Sequence, residues 1–85
     1  MTPPDKRTNV SAGHEVRIYY ADLPPGTVGV VRKVMDREQG VLSVRIQPHT
    51  IPAAVARTYA RDPADGMIAI VLALDEWMPV STSTQ

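Results

Sequence analysis

The chain has 85 residues, nine Lys/Arg against nine Asp/Glu, no cysteine and eight prolines. That length allows one domain, the missing cysteine excludes a disulfide framework and thiolate metal sites, and zero net charge argues against a protein that lives on phosphate backbones. No run approaches the roughly 18–20 apolar residues of a membrane span, and the first residues lack the apolar block of a signal peptide, so a soluble cytoplasmic protein without membrane contact is expected.

Residues 1–12, MTPPDKRTNVSA, hold adjacent prolines and few apolar side chains, the composition of a flexible arm; residues 81–85, STSTQ, read as a flexible tail. Residues 13–80 are left to form the domain. At that size only about 60% of the unfolded chain's surface is buried on folding, so its stability should be modest without a partner.

From His14 to Tyr20 the pattern alternates, with Val16, Ile18 and Tyr20 on one face and Glu15, Arg17 and Tyr19 on the other, the period of a half-buried strand. Asp22-Leu23-Pro24-Pro25-Gly26 is a loop. Thr27–Met35 reads as a second strand with apolar residues on both parities, which predicts a bulge or strong coiling, and Gly29 inside it marks a bend or a close backbone approach. Asp36–Gly40 is a polar turn ending in a glycine able to take positive φ. A third strand, Val41–Gln47, points Leu42, Val44 and Ile46 inward.

Pro48-His49-Thr50 then breaks the pattern, with Thr50 as a candidate helix N-cap. Ile51, Ala54, Val55, Thr58 and Tyr59 fall on one face of a short helix. Arg61 would sit near its C-terminal end, where a cation suits the dipole. Met67–Leu74, MIAIVLAL, is the most apolar run; its periodicity fits a strand buried on both faces or a short buried helix, and the β-branched Ile68, Ile70 and Val71 favour the strand. Asp75–Val80 reads as a turn and a closing strand.

Gly13, Val16 and Ile18, then Gly26-Thr27-Val28-Gly29-Val30-Val31 and Val34, then Val44 and Ile46, resemble the small SH3-like barrels and, within them, the KOW-type strand–loop–strand unit. Leu74–Val80 looks like the last turn and strand that close many of these barrels. The resemblance covers residues 13–46 and 74–80. It implies a mainly β fold: a small SH3-like barrel of about five strands, with a short helical insertion before the penultimate strand.

Two surfaces are candidates for function. The outward residues Arg17, Tyr19, Arg32, Lys33 and Arg45 could form a basic–aromatic face for nucleic acid, bases stacking on tyrosine and arginines meeting phosphate. The alternative for those positions is an ordinary solvated face with cross-strand charge pairs. Leu23, Pro24, Tyr59, Trp77 and Met78 are candidate protein-binding residues, because aromatic and methionine side chains concentrate at interface centres. Trp77 could equally plug the open end of the barrel.

No catalytic constellation is visible. Ser11, Ser43, Ser81 and Ser83 lack an elbow motif, Asp62 and Asp65 sit where carboxylates end structure, and His14 and His49 lack metal-ligand spacing. The reading is therefore a non-enzymatic binding module or accessory subunit, without cofactor or metal, that docks on a larger protein or on copies of itself. A KOW-like nucleic-acid-binding module is the alternative, and an enzyme active only as an oligomer is the third reading.

Overall fold

The computed structural model describes residues 6–20 and 22–80. Its elements are β1 (Glu15–Ile18), β2 (Val28–Asp36), β3 (Val41–Ile46), α1 (Ala53–Ala56), β4 (Ile68–Leu72) and β5 (Trp77–Pro79), with 3-10 turns at Lys6–Asn9, Pro48–Thr50 and Leu74–Glu76. The fold is mainly β: five antiparallel strands make one sheet in the order β4-β3-β2-β1-β5. The last strand returns beside the first, pairing Val16 with Pro79, Arg17 with Met78 and Ile18 with Trp77.

Alternation decides which side of the sheet each residue takes. Val16, Ile18, Val31, Leu42, Val44, Ile46, Ile68, Ile70, Leu72 and Trp77 all face inward and are buried. Each such aliphatic removed from water stabilises by about 1.5–3 kcal/mol. Gly29 lies inside this packing. A side chain there would overlap Val44, lie 2.8 Å from Ile18 and approach the Arg45 carbonyl at 3.0 Å, so the position needs glycine. The bulging of β2 is real. Its register against β3 slips between Val31 and Lys33 and again between Val34 and Asp36. The first slip inverts parity, so that Val28 and Val30 face outward while Val34 turns in toward Leu42.

Several local expectations are corrected. Val10 is buried in the core, and Lys6–Asn9 forms a 3-10 turn on β5, so residues 6–10 are part of the packed domain instead of the expected arm. Residues 1–5 and 81–85 lie outside the described residues. The helix is a single turn. Its N-cap is Pro52, and the Thr50 hydroxyl instead donates to the Gln47 carbonyl at 2.7 Å. Ile51, Val55, Ala56 and Tyr59 pack inward while Ala54 and Thr58 are exposed, because the chain leaves the helix before a full stripe develops. Arg61 lies beyond the helix, in a β-bridge to Ile68. Strand β4 is an edge strand buried on one face only: Ile68, Ile70 and Leu72 point in, and Val71 is 55% exposed.

Candidate functional site

The outer face of the sheet is where exposed apolar and charged side chains meet. Register places Met78 of β5, Arg17 of β1 and Val28 of β2 side by side in one row. Tyr19, just past the end of β1, follows Arg17 by two positions, and Val30 follows Val28 by two along β2. Tyr19 is 50% exposed, Met78 46%, and Val28 and Val30 37% each. Glu15 pairs with Val30, which itself pairs with Arg45 on its other side.

The expected basic face is broken up by this arrangement. Arg45 is clamped by Asp62, its Nε and Nη2 donating to one carboxylate oxygen at 3.2 and 3.0 Å, while Nη1 donates to Ser43 Oγ at 3.1 Å. Both side chains of that pair are mostly covered, with exposures of 16% and 18%. The Ala64 backbone N–H donates to the other Asp62 oxygen at 2.9 Å; this bond, with the Arg45 pair, holds the Asp62 carboxyl below the usual carboxylate range. Arg32 faces Asp65 at 3.8 Å. Arg17 and Lys33 remain exposed, and Val28 and Val30 lie on β2 between them. The five cationic and aromatic positions therefore share a face without forming a continuous basic stripe.

The expected protein-binding set is also redistributed. Trp77 is fully buried, and its indole N–H donates to the Gly40 carbonyl at 2.8 Å, making it a core residue that ties the β2–β3 turn to β5. Gly40 has φ 69°, and a side chain there would run into Leu74, so the glycine is what lets the turn close on the 3-10 segment before Trp77. Leu23 is buried as well. Pro24 is half-buried, its carbonyl accepting the Thr27 hydroxyl at 2.6 Å. Tyr59 is half-buried against Tyr20, ring centroids 6.3 Å apart at 53°. Burial first, then the negative charge of Asp22, raises the Tyr59 phenol above its ordinary value. Only Met78 of the five reaches the outer face as a large exposed side chain. Val28 and Val30 escaped the sequence reading because their parity looks inward until the bulge is placed; the signal for it was the apolar residues on both parities of one strand.

Catalytic geometry is poor where it comes nearest. The Ser11 backbone N–H donates to His14 Nδ1 at 3.2 Å. In the neutral ring that bond puts the proton on Nε2, 3.5 Å from Ser11 Oγ, so the imidazole is a donor to the hydroxyl and no base for it. Among the described residues no three His, Asp or Glu side chains are grouped to hold a metal ion, and no helix is long and apolar enough to cross a membrane. Comparison with known families, with characterised proteins and with solved structures finds no match for this chain.

Proposed function

We propose that the domain is a non-enzymatic docking module whose outer sheet face binds a larger protein. The observation that carries this reading is the row Met78–Arg17–Val28 flanked by Tyr19 and Val30: methionine, arginine and tyrosine are the residue types enriched at the centres of protein interfaces. The partner surface it suits is apolar with one carboxylate to meet Arg17. The strand order, with a 3-10 turn ahead of a last strand that pairs with the first, supports an SH3-like barrel as the scaffold.

The alternative, a nucleic-acid module, draws less support from the same face. Phosphate binding needs uncompensated cations in series, and two of the four here are matched to Asp62 and Asp65. Affinity capture from the source cell, with and without nuclease, tests the reading when run beside the Arg17→Glu/Met78→Asp double variant. A nuclease-resistant partner retained by the native chain and lost by the variant is the expected result. Capture that disappears with nuclease, or that the variant retains, refutes docking through this face.

A further inference from the structure

Away from the sheet face, a shallow hollow lies between the 3-10 turn at Pro48–Thr50 and α1. Its floor is Ile51, Ala53 and Ala56, and His49, Arg57 and Arg61 line it. Among the described residues no carboxylate lines it. Asp62, next in sequence to Arg61, is turned to Arg45 at 3.0 Å.

The three positions are mounted on fixed backbone. The turn carrying His49 is closed by the Thr50 N–H on the Gln47 carbonyl at 3.0 Å, and the Arg57 N–H donates to Ala53 at 3.1 Å. Arg61 sits in the bridge to Ile68, between the Ala69-to-Ala60 bond at 3.0 Å and the Asp62-to-Met67 bond at 2.8 Å. Ile51 and Ala56 are buried, so the floor is part of the core. The side chains of His49, Arg57 and Arg61 make no hydrogen bond or ion pair within the described residues, in contrast to Arg32 and Arg45, which both have carboxylates. Two guanidinium groups with no carboxylate partner among the described residues, and an imidazole, thus line one hollow with an apolar floor.

The geometry points to a binding site for a small phosphate monoester carried on an apolar or aromatic body. Guanidinium forks match phosphate oxygens in paired hydrogen bonds. Three donor groups suit the three terminal oxygens of a monoester better than the two of a carboxylate, and the alanines leave room for the body against the floor. The site is separate from the docking face and stands or falls independently of it.

The test is a titration of the whole chain with phenyl phosphate, inorganic phosphate and benzoate, followed by two-dimensional NMR. Phenyl phosphate should bind saturably, shifting the His49 ring and the Ala53 and Ala56 methyl signals, and more tightly than either other anion. Arg57→Gln should weaken it about tenfold, the loss of one charge-assisted hydrogen bond. The Arg57→Gln/Arg61→Gln double variant should abolish it with the rest of the spectrum unchanged, and Lys33→Gln should have no effect. Equal binding of inorganic phosphate would remove the role of the floor, and equal binding of benzoate would remove the phosphate assignment. Weak shifts spread over Arg17 and Lys33 as well would show general charge attraction. Tighter binding of a mixed-sequence oligonucleotide through the same residues would replace the small ligand by nucleic acid. Any of these four outcomes overturns the proposal.

Discussion

The two edges of the sheet are guarded by different means. At β5, Met78 bonds to β1, so Trp77 and Pro79 turn their backbone groups outward. Pro79 has no N–H to offer, and the Lys6 ammonium donates to the Trp77 carbonyl while standing 4.6 Å over the indole ring. At β4 the guard is borrowed from elsewhere in the chain. The Ala60 carbonyl takes the Ala69 N–H at 3.0 Å, and the Glu76 carboxylate takes the Ala73 N–H at 2.8 Å, with Val71 standing between them. Unpaired strand edges are templates for association, and both edges here are blunted in part. The β5 guard is written into the strand and its proline. The β4 guard depends on a returning segment held down by the Arg45–Asp62 clamp, which makes it conditional.

The contrast can be broken from either side. Trp77→Ala removes the anchor of β5 and should cost about 3–5 kcal/mol in denaturant unfolding, the usual loss for a fully buried tryptophan. Glu76→Ala uncovers one end of the β4 edge. It should cost about 1 kcal/mol, with faster hydrogen exchange at Ala73 and no change at Val44. Acid should loosen the β4 cover. Because the folded Asp62 carboxyl titrates below its unfolded value, its contribution is complete above the ordinary aspartate range and is lost as pH falls through the lower, folded value. The Ala69 amide signal should follow that titration, and in Asp62→Asn it should not. Lys6→Ala is the mildest: about 0.5–1 kcal/mol from the cation–π contact, read as a change in Trp77 fluorescence with β4 amides undisturbed.

The strands were legible because period-two patterning and turn residues are local. Val16 and Ile18, the Asp36–Gly40 turn and the Leu42-Val44-Ile46 row stand where alternation puts them. What failed was decided by distant chain. Trp77 reads equally as interface anchor or core plug until Gly40 arrives to take its N–H, and MIAIVLAL looks doubly buried because sequence does not show that no described residue covers Val71. The helix was overread for a related reason: Ile51 and Tyr59 share a side because each packs on the core, with only one helical turn between them. For the candidate site, Arg17, Tyr19 and Met78 were readable as outward residues. Their grouping needed the β1–β5 pairing, and the loss of Arg45 to Asp62 needed the fold.

Pairing of β5 with β1 also sets an order of events in synthesis. Lys6 and Trp77 are 71 positions apart in the chain, yet they touch. Strands β2 and β3 can form a hairpin as they emerge, while β1 lacks one neighbour until β5 has been translated. Closing so long a loop is entropically slow, so the nascent domain holds Ile18 and Val16 against only one flank until β5 has emerged. Slowing elongation after β3 should therefore do little for folding yield, whereas holding back β5 should leave a β1 edge open to neighbouring chains.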